Sequence, residues 1–190
     1  MLALTPMDII AGSVPLAFAC HPQTPSGVIL GIDAVVGTYP GDNLTIEFVL
    51  KCDLSRLRIP ETRTPRRAEN LWAHTCFEVF VMAEDGPGYR EFNFSPSGEW
   101  AVYDFRDYRD GEELPIELDP TIAVRRSSDR LELDAKICHD FLPQGRPLRL
   151  GLSAVMEDAG GVLSYWALDH PAGKPDFHHP DAFALQLELP

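Results

Sequence analysis

Polar side chains occur at alternate positions of two neighbouring, strongly apolar segments of the chain. In a β-strand alternate residues share a face, so Glu78 points in the same direction as Cys76 and Phe80. In the next segment Glu91 and Asn93 share one face, and the phenylalanines beside them share the other. Carboxylate and amide groups on such a face can hydrogen-bond a small polar ligand. The pattern therefore predicts a sheet with one core face and one polar binding face.

Glu78 needs a partner wherever it is buried. An unpaired carboxylate among apolar side chains costs several kcal/mol, so we expect Glu78 to meet a cationic group or backbone N–H groups. The candidate partners are Arg90, Arg109 and Lys136. A structural ion pair, or exposure at a sheet edge, would explain Glu78 without any ligand.

The chain has three tryptophans, and all are candidates for ligand binding. Proteins that bind sugars stack a pyranose ring on an aromatic side chain, while carboxylates, amides and guanidinium groups bond the hydroxyls. The predicted ligand-binding residues are Trp72, Glu78, Asn93, Trp100, Arg109 and Trp166. The alternative is that the tryptophans are core residues of a β-sandwich, because tryptophan is highly buried on average.

Three histidines are concentrated near the end of the chain, within the segment 169–181. His170, His178 and His179 alternate there with three aspartates and three prolines, which predicts an irregular loop. Imidazole and carboxylate groups suit divalent metals, but the spacing matches no established metal motif, so no metal site is predicted. The alternative is a loop folded over one end of the domain, in which Phe177 fills a core position.

Frequent turn residues divide the chain into short apolar segments. Seventeen prolines and fourteen glycines leave segments of the length and spacing typical of a β-sandwich. We predict an all-β fold, an antiparallel β-sandwich of immunoglobulin-like or jelly-roll-like type, with about 10–11 strands. The predicted strands are 14–20, 26–36, 43–52, 76–82, 89–95, 99–106, 121–126, 130–137, 147–157, 162–168 and 182–189. Residues 53–70 and 107–120 are predicted as long connections, and 137–142 as a helical turn.

Three motifs make the chain resemble the DOMON-like domains. They are WAHTCFE from Trp72 to Glu78, EFNFSPSGEWAVY from Glu91 to Tyr103, and YWALDHPAGKPDFHHP from Tyr165 to Pro180. The resemblance spans most of the chain from about position 26 to its end. It implies a β-sandwich of the superfamily that also contains family-nine carbohydrate-binding modules, whose members bind sugars or haem. The branch that the chain most resembles has no assigned activity to carry over.

The resemblance also raises haem b as an alternative cofactor. Haem-binding members use a methionine and a histidine as axial ligands, which here would be Met82 or Met156 with His170, His178 or His179. Against haem, the chain has no C-x-x-C-H attachment motif, and both methionines suit the filling of gaps in strands.

Composition excludes several classes of partner. The formal net charge of -13 disfavours nucleic acid and an anionic membrane surface. Four scattered cysteines without a C-x-x-C pair predict reduced thiols in strands. The first twenty residues lack a basic region and are interrupted by proline, glycine and aspartate, so no signal peptide is predicted and the cytoplasm is the expected location. The length predicts one domain over 1–190, with an N-terminal strand within 1–25.

Known catalytic motifs are missing from the sequence. It contains no G-x-S-x-G elbow, no phosphate-binding glycine loop and no H-E-x-x-H. Glu78 and Glu91 could serve as a glycosidase pair, but sequence does not give their separation. The sequence therefore favours a non-catalytic domain that binds a small polar ligand, such as a sugar. The alternatives are a haem-binding redox domain and a structural or interaction protein, such as a homodimer.

Overall fold

The apolar segments of the chain form two β-sheets that pack against each other. The structure, a computed structural model, describes residues 14–39, 41, 43–86, 88–115, 120–145 and 147–187. Its strands are β1 (Leu16–Ala17), β2 (Ala19–Cys20), β3 (Ile29–Tyr39), β4 (Asn43–Cys52), β5 (Arg66–Arg67), β6 (Cys76–Ala83), β7 (Tyr89–Phe94), β8 (Glu99–Asp107), β9 (Asp110–Glu113), β10 (Thr121–Arg126), β11 (Arg130–Ile137), β12 (Leu148–Glu157), β13 (Leu163–Ala167) and β14 (Leu185–Leu187). The same ranges contain the short 3₁₀ helices η1 (Leu54–Arg56), η2 (Leu71–Ala73), η3 (His139–Phe141) and η4 (Pro180–Ala182). None of these helices has the length and apolarity needed to cross a membrane.

The two sheets differ in size. The smaller sheet has the strand order β1-β3-β4-β11-β10 and is antiparallel. The larger sheet has the order β2-β13-β12-β6-β7-β8-β5, with β14 beside β12 and β9 beside β8. Because β6 occupies one edge of β12, β13 and β14 lie end to end along its other edge. The chain between β13 and β14 therefore leaves the sheet and returns to the same strand.

The smaller sheet has one apolar and one solvated face. Alternate residues of β4 and β11 are buried, as expected for strands with a single core face. Phe48 of β4 stacks on Phe77 of β6, with ring centroids 4.9 Å apart, so the core lies between the sheets. The other face carries charged side chains, among which Arg125 pairs with Glu132 and Asp134.

The larger sheet is buried on both of its faces at the centre. Seven of the eight residues of β6 are buried, as are five of the six in β7. A strand covered on both sides has an apolar sequence, and β6 (CFEVFVMA) carries one charged residue, Glu78. The second face is covered mainly by the segment between β13 and β14, whose Phe177 and Phe183 belong to a second hydrophobic cluster.

The predicted antiparallel β-sandwich is confirmed, with local differences. The strands at 43–52, 121–126 and 130–137 have the predicted bounds. The predicted strand 14–20 is wrong as a single strand, because Phe18 separates β1 in one sheet from β2 in the other. β3 begins three residues later than predicted and continues to Tyr39.

The strand count was underestimated because one predicted strand divides into β1 and β2, and because β5 and β9 were not predicted. The described residues contain fourteen strands, against about 10–11 predicted. β5 and β9 lie inside the two predicted connections. Their sequences do not alternate between apolar and polar residues, so the pattern does not predict strands there. The predicted helical turn is the 3₁₀ helix η3. Residues 1–13, 116–119 and 188–189, which belong to the predictions for the N-terminus, the connection 107–120 and the last strand, lie outside the described residues.

Arginines hold the basic segment between β4 and β6 against the sandwich. Arg58 pairs with Glu157 of β12 at 2.7 Å, and Arg66 pairs with Glu99 of β8 at 2.7 Å. Both carboxylates are largely buried, while both arginines are more than half exposed. The segment that leads into η2 is therefore fixed at two points of the larger sheet.

Candidate functional site

The outer face of the larger sheet carries a cavity of about 750 Å³. A volume of several hundred cubic ångströms suits a small ligand. The floor consists of outward side chains of five adjacent strands: Glu78, Glu91, Tyr103, Phe105, Val155 and Tyr165. The walls come from four connections: the residues after β2, helix η2, the β8–β9 turn with Arg109, and the segment that follows β13. The cavity thus forms because the connections surround the outer face of the sheet but leave part of it uncovered.

Strand register assembles the polar groups of the floor. Ser153 of β12 is the register partner of Glu78, which in turn is the partner of Asn93. Directly paired residues of antiparallel strands share a face, so these three side chains form one row. Ser153 Oγ donates to Glu78 Oε2 at 3.1 Å, and Asn93 Nδ2 donates to Glu91 Oε1 at 2.7 Å. The buried Cys76 thiol donates to Asn93 Oδ1, with Sγ at 3.6 Å from this oxygen.

The expectation that Glu78 forms an ion pair is wrong within the described residues. Arg90 pairs with Asp104 at 2.9 Å, and Arg109 pairs with Asp176 at 2.9 Å. Lys136 lies on the smaller sheet, 3.8 Å from the ring centroid of Tyr39. The partner of Glu78 is instead the neutral Ser153, because the register of β6 with β12 sets which side chain stands beside it.

Burial makes both floor carboxyls weaker acids than ordinary glutamates. Burial, together with the charge of Glu91, raises the pKa of Glu78 well above its usual value, against the opposing effect of Ser153. Burial raises the pKa of Glu91 to about 7, although Asn93 and Arg109 act in the opposite direction. At neutral pH the floor can therefore offer both hydrogen-bond donors and acceptors from its carboxyl groups.

His178 forms the wall next to Glu91. Its Nδ1 lies 2.8 Å from the Tyr89 hydroxyl, and its Nε2 lies 3.8 Å from Glu91 Oε2. Burial, followed by the charge of Arg109, lowers the pKa of His178 to about 4, so the ring is neutral at pH 7. This geometry suits a ring that accepts at Nδ1 and carries its proton on Nε2, facing Glu91.

Arg109 sits at the rim in a left-handed backbone conformation, with φ of 54°. Its backbone N–H donates to the Tyr89 hydroxyl at 3.1 Å, and its guanidinium binds Asp176. Tyr108 donates its hydroxyl to the same carboxylate at 2.7 Å. The β8–β9 turn is thereby attached to the segment that roofs the cavity.

Of the three tryptophans, the structure brings only Trp72 to the cavity. Trp72 is 52% exposed in helix η2 at the rim. Trp100 and Trp166 are 1% and 7% exposed, and both belong to the core between the sheets. Trp100 packs under the Arg67 guanidinium, and Trp166 Nε1 donates to Ser164 Oγ at 3.1 Å. The alternative interpretation as core residues describes these two tryptophans.

The candidate haem ligands do not form a suitable axial pair. Met156 is buried between the sheets, whereas His170, His178 and His179 lie on the segment over the outer face. Met82 is on the outer face, but Nδ1 of His178 already contacts Tyr89 and its Nε2 faces Glu91. His170 Nε2 lies 2.9 Å from Ala19 O, and His179 accepts the N–H of Asp181. The described residues therefore do not fit haem, and they contain no group of three side chains placed to hold a metal ion.

The structure brings some of the predicted ligand-binding residues together. Trp72, Glu78 and Arg109 line the cavity, and Asn93 lies beneath it, bonded to Glu91. The cavity is also lined by residues that were not predicted: Gln23, Thr24, Tyr103, Tyr165 and Lys174. The alternation that selected Asn93 also placed Glu91 on the polar face and could have extended to Tyr103 on the next strand. No local signal marks the loop residues, since only the tertiary fold brings them to the sheet.

Comparison with solved structures identifies similar folds. One is a "putative carbohydrate-binding protein" from Bacteroides uniformis ATCC 8492, with a TM-score of 0.63, 13% identity, and coverage of 88% of this chain and 81% of that one. Another is a family 9 carbohydrate-binding module from Caldicellulosiruptor kristjanssonii in complex with cellotriose, with a TM-score of 0.51, 10% identity, and coverage of 87% and 77%. No family model and no curated protein matches the sequence. At these identities the likeness shows a shared β-sandwich fold.

Proposed function

We propose that this protein binds a small sugar in the cavity on the outer face of its larger sheet. The observation that carries the proposal is an exposed tryptophan at the rim of a cavity whose floor holds buried carboxyl groups. A sugar ring presents an apolar face that stacks on an aromatic ring and an equator of hydroxyls that need donors and acceptors.

The groups around the cavity meet both requirements. Trp72 offers a ring at the rim, and Tyr103 and Tyr165 add aromatic surface on the floor. Glu78 and Glu91 supply carboxyl oxygens, and Arg109 supplies N–H donors at the edge. The structural neighbours are described as carbohydrate-binding, one of them in complex with cellotriose, which supports the same ligand class for this chain. Membership of the DOMON-like branch within this fold stays a prediction.

Tryptophan fluorescence provides a selective assay, because Trp72 is the only exposed tryptophan of the three. Acrylamide should quench Trp72 and leave Trp100 and Trp166 largely unaffected. We expect that glucose, cellobiose or cellotriose, titrated singly, shifts the emission and protects it from acrylamide. Calorimetry on the same sugars supplies the dissociation constants.

The Trp72→Ala variant tests the contact directly. It should weaken binding roughly tenfold or more, since truncation of a stacking aromatic anchor removes most of the contact energy at a site. It should leave stability nearly unchanged because the side chain is half exposed. Tyr39→Ala is the matched control: this ring is 40% exposed on the smaller sheet, and its removal should not affect binding. If no sugar protects the wild type, or if Trp72→Ala binds as tightly as Tyr39→Ala, the proposal is wrong.

A further inference from the structure

The floor of the cavity contains two acidic groups and no basic partner for the deeper one. Glu78 is 2% exposed and Glu91 5% exposed, and both line the cavity. Across the described part of the chain, the hydrogen bond to Glu78 comes from Ser153 and reaches Oε2. Its second oxygen receives no donor there, and no lysine, arginine or histidine of that part lies within ion-pair distance of it. The open side of this carboxyl is the cavity, so its second oxygen is free to take a hydrogen bond from a ligand there.

The other charged groups around the cavity do not supply that partner. Arg109 is held by Asp176 at the rim, and Lys174 is solvent-exposed in the roof segment. His178 faces Glu91 at 3.8 Å but stays neutral above a pKa of about 4. Cys76, Tyr89 and Tyr103 also lie beside the floor, and burial raises the pKa of each, so these three groups stay uncharged near pH 7.

The cavity also has much aromatic lining. Trp72, Tyr103, Tyr165, Phe105 and Phe177 line it together with the two carboxyls. Aromatic faces attract a cation through their quadrupole, most strongly when the cation is partly desolvated. An ammonium group in this cavity would make both charge-assisted hydrogen bonds to the carboxylates and cation–π contacts with the rings. A neutral hydroxyl would make only the hydrogen bonds.

We infer that the ligand carries a protonated primary amine that lies against Glu78 and Glu91, which makes it an amino sugar. The inference rests on the proposed function and narrows its ligand class. The ammonium group donates to the oxygen of Glu78 that lacks a donor and to Glu91, and the sugar ring extends toward Trp72. Binding then ionises the floor: a carboxyl proton leaves to solvent as the ammonium arrives, consistent with the raised pKa of both acids.

The test compares three monosaccharides that differ at one substituent. D-glucosamine, D-glucose and N-acetyl-D-glucosamine are titrated by calorimetry below the pKa of the amine. Glucosamine should bind roughly tenfold or more tightly than glucose, because charge-assisted hydrogen bonds are worth more than neutral ones. N-acetylglucosamine carries an uncharged amide in place of the amine, so it should not bind more tightly than glucose.

The variants Glu78→Gln and Glu91→Gln identify the groups responsible. Each keeps the side-chain shape and should reduce the preference for glucosamine over glucose severalfold. Glu112→Gln is the control: this residue lies exposed on β9, so it changes the net charge without touching the floor. A readout that needs no variant is the heat in buffers of different ionisation enthalpy, which should show proton release with glucosamine and none with glucose.

The outcomes separate the inference from the proposed function. Equal affinity for glucose and glucosamine, without proton release, would show that the ligand does not carry an amine, while the proposal of sugar binding would remain. If none of the three sugars binds, both the amino-sugar inference and the proposed function are wrong. n-Butylamine is the probe for an ammonium group without a sugar ring, and binding as tight as that of glucosamine overturns the assignment of an amino sugar. Tight glucosamine binding that is lost in both glutamine variants and kept in Glu112→Gln supports the inference.

Discussion

Glu91 on the cavity floor lies next to His178 on the wall, and folding shifts their pKa values in opposite directions. The pKa of Glu91 is raised to about 7, so the folded protein holds this proton more tightly than the unfolded chain does. The pKa of His178 is lowered to about 4, so the folded protein holds that proton less tightly. Stability rises with pH wherever the unfolded state binds more protons, so the two residues act against each other between about pH 4.5 and 6.5.

Single variants should separate these two contributions. The stabilising contribution of protonated Glu91 is complete below about pH 4.3 and is lost as the pH rises through about 7. Glu91→Gln should therefore gain stability relative to the wild type between pH 5 and 7.5, by on the order of 1–3 kcal/mol. His178→Gln should show the reverse trend, with its largest advantage near pH 4.5. Urea unfolding of all three proteins from pH 4.5 to 7.5 measures these differences, and the same dependence of unfolding free energy on pH in all three would contradict the assignment.

At the residue scale, alternation was enough to predict the polar floor but not its partners. Glu78 and Asn93 stand on one face because strand side chains alternate. The donor to Glu78 comes from Ser153, 75 residues further along the chain, and its position depends on the register of β12. The predicted arginine partners were chosen by charge alone. Strand pairing places Arg90 beside Asp104, and the segment after β13 brings Asp176 to Arg109.

At the scale of elements, β9 shows how a strand forms without a sequence pattern. It consists of Asp110–Glu113, and its backbone pairs with β8, whose Phe105 lines the cavity. A Cβ at Gly111 would lie 2.5 Å from Phe105 Cδ1 and 2.6 Å from the backbone oxygen of Asp104. The close approach of the two strands therefore depends on the absence of a side chain at this position.

Gly111→Ala should consequently push β9 away from β8 and disturb Phe105. We expect a loss of roughly 1–3 kcal/mol in unfolding free energy, typical of forced overpacking, and weaker ligand binding. Gly31→Ala in β3 is the matched control, since no atom lies within 4 Å of the added Cβ. It should be neutral or slightly stabilising, by about 0.4–1 kcal/mol. Equal stability of the two variants in urea would show that β9 is not packed as closely as described.

The larger elements were predictable because their apolar alternation is long. β4, β10 and β11 agree with the expected bounds, and each pairs over most of its length with a neighbour. The split between β1 and β2 could not be read from sequence, because Leu16 to Cys20 looks continuous until Phe18 enters the core between two sheets. A strand of two residues is too short to show apolar alternation, and it is recognised only from its hydrogen bonds to a neighbouring strand.

At the scale of the whole molecule, the four cysteines report on the integrity of the sandwich. All four are free thiols, with Cys52 and Cys76 buried and Cys20 and Cys138 partly exposed. Burial raises the pKa of Cys52 to about 11 and that of Cys76 well above its usual value, so thiolate is scarce at both sites.

A thiol-reactive disulfide reagent should therefore modify two cysteines of the native protein and four after denaturation. Cys138 should react faster than Cys20, whose pKa burial also raises. Reaction of the remaining two should track global unfolding, because both lie in the sheets. Mass spectrometry of the labelled protein identifies the sites. Rapid modification of Cys76 in the native protein would mean that the floor of the cavity opens far more readily than its packing implies.

The segment that roofs the cavity leaves the larger sheet after Ala167, which pairs with Ser153, and returns at Leu185, which pairs with Leu150. Its two ends are thus anchored on one strand three residues apart, a span of about 10 Å. Closing a loop between such fixed points depends only weakly on the number of residues in it. The roof can therefore change in length at little entropic cost while Phe177 and Phe183 still cover the sheet. Ligand preference can then evolve or be engineered in this segment while the strands that carry the fold keep their sequence.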